Sequence, residues 1–268
     1  MAQPFLYNYD SLLITGVLFL LIVLLNEVGF RIGRFVQHST DSEVKTLTGS
    51  IQGSILGLLA LLLGFTFSMS MQRFDGRSEA LIAEANAIGT ASLRVQLLPV
   101  QFQDEANALL ARYVDMRIAI GKVDLSHALE RKKYNQTIAA LQSELWALAV
   151  AATNADPRPV TSGAFVNSLN EMIDSQGKRN ALQQMRVPEV VLLLLFTVFI
   201  ASGGMLGYSS GLSGKRVVAP TLMVSFLIAM IVFIIIDLDR PKRGLIMVDQ
   251  SSLLALQNAP VTQLGHSN

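Results

Sequence analysis

The sequence predicts an all-α membrane protein with four transmembrane helices in two hairpins and a cytoplasmic helical bundle between spans 2 and 3. Of its 268 residues, 51% are hydrophobic and only 15% are charged, whereas soluble domains carry about 25% charged residues. The two pairs of apolar stretches are separated by a long segment of mixed polarity. Four stretches approach the roughly 20 apolar residues that cross a bilayer core, and they cover about residues 11–30, 51–71, 188–208 and 217–236.

These stretches divide the chain into four parts. Residues 1–71 form the first transmembrane hairpin, 72–187 the helical insert, 188–236 the second hairpin, and 237–268 a C-terminal segment with a short helix. Within the insert, apolar side chains recur every three or four residues, which is typical of amphipathic helices. The insert helices are predicted at about 81–99, 102–120 and 125–152, with a linker at 154–163 and a fourth helix from residue 164.

Lysine and arginine near the ends of the spans predict the orientation, because cytoplasmic loops are enriched in these residues. The side of the membrane with fewer basic residues is predicted to hold Arg31, Arg34, Lys45, Lys215 and Arg216. The richer side holds Arg73, Arg77, Lys178, Arg179, Arg186, Arg240, Lys242 and Arg243. The bias places the insert and both termini in the cytoplasm.

The sequence lacks the patterns of an enzyme, a metal site or a nucleic-acid interface. The net charge of +1 gives no reason to expect a nucleic-acid partner. Cysteine is absent and the three histidines are scattered, so neither a thiolate site nor a histidine metal motif is present. Residues 207–215 resemble a phosphate loop only faintly, since their spacing is wrong and Arg216 stands where Ser or Thr would bind magnesium. We therefore expect no catalytic residue, no metal and no cofactor.

The second span carries a narrow stripe of small and polar residues. At 100° per residue the members fall within about 40° of one line. Nearly the opposite side of this helix carries Thr66, Ser70, Arg73 and Arg77. The stripe consists of Ser50, Ser54, Gly57, Leu61, Gly64, Ser68, Gln72, Asp75 and Glu79.

Two interpretations of this stripe compete. Small residues allow transmembrane helices to pack closely, and both Gly49, Gly53 and Gly57 in span 2 and Gly203, Gly207 and Gly211 in span 3 follow that spacing. Alternatively, the stripe faces water: Ser54, Gly57, Gly64, Ser68 and Gln72 would line a pore, and Leu61 and Phe65 would form an apolar neck that can dewet. Helix packing and pore lining can coexist on the same helix. A single four-helix bundle has little room for water, so a pore requires an oligomer.

Each group of charged residues near the spans also allows two interpretations. Asp75 and Glu79 either form a negative vestibule that favours cations or belong to a solvated helix face. Glu27 either has a function at membrane depth or lies at the headgroup boundary. The remaining group is expected to act as membrane anchors or in salt bridges, and comprises Arg73, Arg77, Asp237, Asp239 and Arg240.

Two motifs resemble those of a known family. "LLLGFTFSMSMQRFDGRSEALIAEANAIGTASLRVQLLP" at 61–99 and "DLDRPKRGLIMVDQ" at 237–250 are similar to bacterial bestrophin-like membrane proteins, themselves distantly similar to bestrophin ion channels. Bestrophins line their pore with the second membrane helix, where an apolar neck adjoins an LGF sequence and an Arg-aromatic pair follows. Leu63-Gly64-Phe65 matches the LGF, Leu61 and Phe65 match two neck positions, and Arg73-Phe74 matches the pair.

The resemblance implies a homo-oligomeric, most readily pentameric, ion channel in the bacterial inner membrane, with membrane lipid and ions as its other partners. The third neck position falls on Gly57, which implies a shorter constriction. No acidic cluster matches the calcium clasp of animal bestrophins. The alternative function is a non-conducting scaffold or signalling component that acts through its cytoplasmic helical domain.

Overall fold

The computed structural model describes residues 9–123, 128–240 and 244–258, and every regular element in these ranges is helical. A 3-10 turn, Val95–Leu97, follows the second helix. The helices are α1 (Ser11–Val36), α2 (Ser42–Arg94), α3 (Val100–Lys122), α4 (Ala128–Ala155), α5 (Ser162–Gln184), α6 (Glu189–Leu212), α7 (Val218–Leu238) and α8 (Ser251–Asn258).

Four of these helices, α1, α2, α6 and α7, are long and apolar enough to cross a membrane. They contain the four predicted apolar stretches, so the prediction of an all-helical protein with four membrane-capable helices is confirmed. The helices predicted for the insert are present as well. Lys242 and Arg243, which the sequence assigns to the basic side, lie outside the described residues.

Helix α2 is a single helix of 53 residues, which corresponds to a length of about 80 Å. No proline interrupts it, and its sequence changes from apolar to amphipathic after Met71. The chain becomes extended at Leu98, with ψ 154°, as expected for a residue that precedes proline. The predicted second span and the first predicted helix of the insert are therefore parts of one element.

The chain divides into two compact units. The first comprises described residues of 1–72 and 186–240, and the second those of 73–185 and 241–268. In the first unit α1 packs along α6 and α7. Side chains such as Leu18, Phe199 and Val232 form its apolar core, and α2 contributes the buried Leu59.

Glycines allow α1 and α6 to approach backbone to backbone. A Cβ added at Gly29 would overlap the carbonyl oxygen of Gly204, and one added at Gly207 would overlap that of Asn26. Ile22 faces Gly203, and Phe30 faces Gly211. Residue numbers rise together on both helices, so α1 and α6 run parallel. The Asn26 side chain adds a hydrogen bond by donating from Nδ2 to the Gly203 carbonyl at 3.0 Å.

Polar contacts fix both ends of the first unit. At one end Ser11 Oγ donates to Asp237 Oδ1 at 3.4 Å, and the Val187 amide donates to Asp239 Oδ2 at 2.8 Å. At the other end Arg216 donates to the Glu27 carboxylate at 2.8 and 2.9 Å. Helices α1 and α6 therefore start at the end where α7 finishes.

The second unit has its own core, formed by α3, α4, α5, α8 and the C-terminal part of α2. Ile88, Tyr113, Leu145 and Phe165 are among its fully buried side chains. Helix α8 packs on α3 through Leu253, which is also fully buried. The amphipathic periodicity of the insert thus corresponds to a real helical core.

Candidate functional site

The stripe on α2 is exposed along its whole length. Its one large apolar member, Leu61, is 55% exposed, and Phe65, which lies beside the stripe, is 64% exposed. The members Ser50, Ser54, Gly57, Leu61, Gly64, Ser68, Gln72, Asp75 and Glu79 are all exposed.

The opposite side of α2 is the side that packs within the chain. Leu59, Thr66 and Ser70 are buried, and on the helical wheel they lie within about 20° of the direction opposite to the centre of the stripe. Thr66 is satisfied locally, because its hydroxyl donates to the Leu62 carbonyl at 2.7 Å. The buried side and the stripe are therefore separate faces of one helix.

The glycines of span 2 have no packing partner inside the described chain. A Cβ added at Gly49, Gly53, Gly57 or Gly64 would meet no other atom within 4 Å. Gly203, Gly207 and Gly211 differ, because each lies against α1. Gly49 and Gly53 therefore make no close helix contact with the part of the chain that the structure describes.

The polar groups of the stripe are partly satisfied by their own helix. Ser54 Oγ donates to the Ser50 carbonyl at 3.1 Å, and Ser50 Oγ donates to the Thr46 carbonyl at 3.2 Å. Gln72 Nε2 makes a long contact of 3.5 Å with Ser68 Oγ. Such bonds to the preceding turn let serine reside in an apolar helix, but one hydroxyl contact satisfies only part of a glutamine amide. Gln72 therefore has remaining capacity to bond water.

Two carboxylates continue the stripe on the part of α2 that belongs to the second unit. Asp75 and Glu79 are both exposed. They supply two negative charges on a face that is otherwise neutral from Ser50 to Gln72. In the described ranges, no three His, Asp or Glu side chains are grouped closely enough to hold a metal ion.

The arginines predicted as headgroup anchors are mostly enclosed by protein. Arg77 is 3% exposed and Arg240 is 4% exposed, whereas Arg73 is half-buried. A side chain that binds a lipid headgroup extends from the protein surface, so this burial favours the salt-bridge alternative of the prediction for Arg77 and Arg240. Asp237 and Asp239 are buried and accept the hydrogen bonds from Ser11 and Val187 described above.

The sequence reasoning missed a buried charge cluster in the second unit. The Glu84 carboxylate on α2 pairs with Arg117 on α3 and with Arg179 on α5. Arg117 Nη2 lies 3.0 Å from Glu84 Oε2, and Arg179 Nη1 lies 2.6 Å from the same oxygen. Burial raises the pKa of the adjacent Tyr113 to about 12, so its phenol stays protonated at neutral pH.

A signal for this cluster was present in the sequence. Glu84 lies within the apolar pattern of Leu81, Ala85 and Ile88, and Arg117 interrupts the apolar pattern of α3. Charged residues are almost never fully buried unless they are paired. A charge on the core side of two amphipathic helices therefore indicates a buried ion pair.

Glu27 also has specific partners. Its carboxylate accepts from Arg31 Nε at 2.9 Å on α1 as well as from Arg216. The Arg216 guanidinium lies 4.7 Å from the centre of the Phe30 ring, within the range of a cation–π contact. These contacts join α1 to the start of α7, which gives Glu27 a structural role.

Comparison with solved structures identifies proteins with the same fold. A tryptophan-to-alanine variant of a bacterial bestrophin homolog from Klebsiella pneumoniae has a TM-score of 0.63 and 18% identity, covering 89% of this chain and 96% of that one. A crystal structure of a bacterial bestrophin homolog from the same organism, phased on zinc, has a TM-score of 0.60 and 18% identity, covering 88% and 94%. No functionally curated protein shows a significant match.

Family membership follows from the sequence itself. The sequence model of the bestrophin-like domain matches residues 17–253, which include α2 with its stripe and the two motifs that carry the resemblance. The chain belongs to the bestrophin-like family.

Proposed function

We propose that this protein is a homo-oligomeric ion channel whose α2 helices surround an axial pore. The observation that carries the proposal is the position of the stripe: its small and polar residues are exposed on the side of α2 that faces away from its own chain. Polar groups that face lipid are costly. A stripe that instead faces copies of itself around an axis would be hydrated or would pack against equivalent residues.

The proposed topology has two hairpins with the insert and both termini in the cytoplasm. Because α1 and α6 start at the end where α7 finishes, membrane insertion of all four helices would put the N-terminus, the insert and the C-terminal segment on one side. The excess of Lys and Arg on that side favours the cytoplasm.

In the proposed pore, Leu61 and Phe65 form the neck. Both side chains are large, apolar and more than half exposed, and a ring of such residues can close a pore by dewetting. Ser54, Gly57, Gly64, Ser68 and Gln72 would line the polar path on either side. Gly57 adds no bulk, so the constriction would be short.

The deciding experiment is ion flux into liposomes that contain the purified protein. We expect Leu61→Ala and Phe65→Ala to raise the flux several-fold, because smaller side chains widen the neck and favour its hydration. Leu20→Ala and Phe226→Ala are matched controls, since Leu20 on α1 is 65% exposed and Phe226 on α7 is 60% exposed, yet neither lies on the stripe. These controls should conduct like the unaltered protein.

Unaltered conductance in both neck variants would contradict the assignment of Leu61 and Phe65 to the neck. Absence of ion flux from a protein that is folded and oligomeric would instead favour the scaffold or signalling function. In that case the second unit would bind a partner protein that copurifies with the chain after detergent extraction.

A further inference from the structure

The second unit contains a cavity that the proposed channel function does not use. Its volume is about 680 Å³, which lies within the range of small-molecule sites. The walls come from α2, α3 and α5 and from the segment 245–250. All of these residues belong to the second unit, so the cavity is a feature of that unit alone.

The charges that line this cavity are mainly positive. Arg77, Lys122 and Arg179 supply three cations, and Asp249 supplies one carboxylate. The Asp249 carboxylate accepts from the Ser251 hydroxyl at 2.6 Å and from the Ser251 amide at 3.0 Å, so it also caps the start of α8. The lining thus includes more cationic side chains than carboxylates.

The buried cluster behind the cavity also contains more guanidinium groups than carboxylates. Glu84 has one negative charge and binds two guanidinium groups, those of Arg117 and Arg179. One of these positive charges therefore lacks an equivalent carboxylate within the cluster. Burying an uncompensated charge is costly, and a bound anion next to Arg179 would offset that cost.

The pKa of Arg179 is consistent with this imbalance. Burial lowers its pKa from the ordinary arginine value, the attraction of Glu84 opposes that effect, and repulsion from Arg117 adds to the lowering. Arg179 is held in place by its 2.6 Å contact with Glu84, so its guanidinium is oriented before any ligand arrives. Such preorganisation reduces the cost of binding.

The wall also has apolar side chains, and a side-chain contact joins the 245–250 segment to α3. Leu81, Leu245 and Met247 are among the residues that line the cavity. Gln250 Nε2 donates to the Gly121 carbonyl at 3.0 Å, and a Cβ at position 121 would overlap the Gln250 side chain. Glycine at 121 therefore leaves room for the Gln250 side chain against α3.

We propose that this cavity binds an organic phosphomonoester, with its phosphate held by Arg179 and Lys122 and its body against Leu81, Leu245 and Met247. A phosphomonoester carries close to two negative charges at neutral pH, and Arg179 and Lys122 supply two cations that can meet them. Guanidinium groups also suit the geometry of phosphate oxygens. The ligand could be a soluble nucleotide or the headgroup of an anionic lipid, because both present this chemistry.

The test is calorimetric titration of the full chain purified in detergent. The probes are AMP, dioctanoyl phosphatidic acid, adenosine and inorganic phosphate. We expect saturable binding of AMP or of the phosphatidic acid, no binding of adenosine because it lacks the charge, and weaker binding of inorganic phosphate because it lacks the apolar body. Preference for AMP would identify a soluble ligand, and preference for phosphatidic acid would identify a lipid.

A pair of variants tests the location of the site. Lys122→Gln should weaken the Kd at least tenfold, and Lys122 is exposed, so the change should leave the fold intact. Lys132→Gln removes the same charge from an exposed position on α4 outside the cavity lining and should bind normally. The proposal is overturned if neither AMP nor the phosphatidic acid binds, or if adenosine binds as well as AMP. It is also overturned if Lys122→Gln binds the preferred probe with unchanged affinity. Ion flux does not enter this test, so its outcome is independent of the channel proposal.

Discussion

At the scale of single residues, the Glu84 carboxylate is the most constrained group in the second unit. It is 0% exposed and is shared by two arginines that are themselves buried. A buried ion pair contributes little net stability when compared with apolar residues of the same shape. Removing one partner is different, because the charges that remain are then buried without compensation.

We therefore expect Glu84→Gln to destabilise the protein by about 3–5 kcal/mol, since breaking a buried pair leaves an uncompensated charge. The measurement is thermal unfolding in detergent, where the variant should show a clearly lower Tm. Glu144→Gln is the matched control: Glu144 lies 3.6 Å from Arg112, and both side chains are more than half exposed. An exposed pair contributes at most about 1 kcal/mol, so equal Tm losses in the two variants would contradict the assignment.

The sequence allowed only part of this cluster to be predicted. Glu84 and Arg117 interrupt apolar patterns, which is a local feature of the sequence. The burial of both residues could therefore have been predicted. Their pairing with Arg179 could not, because 95 positions separate Arg179 from Glu84 and the contact depends on how three helices pack. Arg77 illustrates the same limit: its position after an apolar span predicts a headgroup anchor, but its burial depends on packing.

At the scale of elements, the contact between α1 and α6 depends on glycine. Gly29 is expected to be particularly sensitive, because a Cβ there would overlap the Gly204 carbonyl oxygen. Backbone cannot move aside as a flexible side chain can, so Gly29→Ala should force the helices apart and destabilise the protein by at least the 1–3 kcal/mol typical of overpacking.

The control for this prediction lies on the same helix. A Cβ at Gly16 would meet nothing within 4 Å, and alanine favours helix over glycine by about 1 kcal/mol. Gly16→Ala should therefore leave the Tm unchanged or raise it slightly, while Gly29→Ala lowers it. Similar Tm values for the two variants would show that α1 and α6 are not in close contact in the membrane.

The two faces of α2 can be distinguished by chemistry, because the chain has no cysteine. Ser68 is exposed on the stripe, and Ser70 is 0% exposed on the opposite side. We expect Ser68→Cys to react with a charged, water-soluble thiol reagent and the reaction to lower ion flux. Ser70→Cys makes the same substitution two residues away and should react slowly, since thiolate formation requires water.

This pair also distinguishes a hydrated stripe from a lipid-facing one. A stripe that faces hydrocarbon would leave Ser68→Cys as unreactive as Ser70→Cys. Rapid modification that does not affect flux would mean that water reaches the stripe without an ion path along it.

Helices were the most predictable part of the fold. The 3.6-residue periodicity and the lengths of the apolar stretches are local properties, and they predicted four membrane-capable helices and the presence of helices in the insert. The pairing of α1 with α6 was less predictable, because it joins segments that are distant in sequence. The spacing of Gly203, Gly207 and Gly211 indicated close packing, but it did not identify Gly29 and Gly33 on α1 as the surfaces they meet.

At the scale of the whole molecule, exposure of the stripe favours the proposal that α2 has a partner in the membrane. Large apolar side chains remain exposed on all four membrane-capable helices, as expected where lipid surrounds them. Lipid does not explain a face that carries Ser, Gly and Gln and then two carboxylates. Copies of the same chain would cover that face with an identical one, so we expect the purified protein to be a homo-oligomer in detergent.

The charge of the proposed vestibule leads to a prediction about the ion that passes. Asp75 and Glu79 from every subunit would surround the path on the side of the second unit, and a ring of carboxylates attracts cations. We expect the unaltered channel to prefer potassium over chloride in reversal-potential measurements across a potassium chloride gradient. The double variant Asp75→Asn with Glu79→Gln should shift the reversal potential toward zero, because the attraction between the ring and the cation is removed.

The double variant Asp104→Asn with Glu105→Gln makes the same charge change at exposed positions on α3 and should retain the original selectivity. An anion preference in the unaltered channel, or equal shifts in the two double variants, would mean that the carboxylates of α2 do not face the ion path.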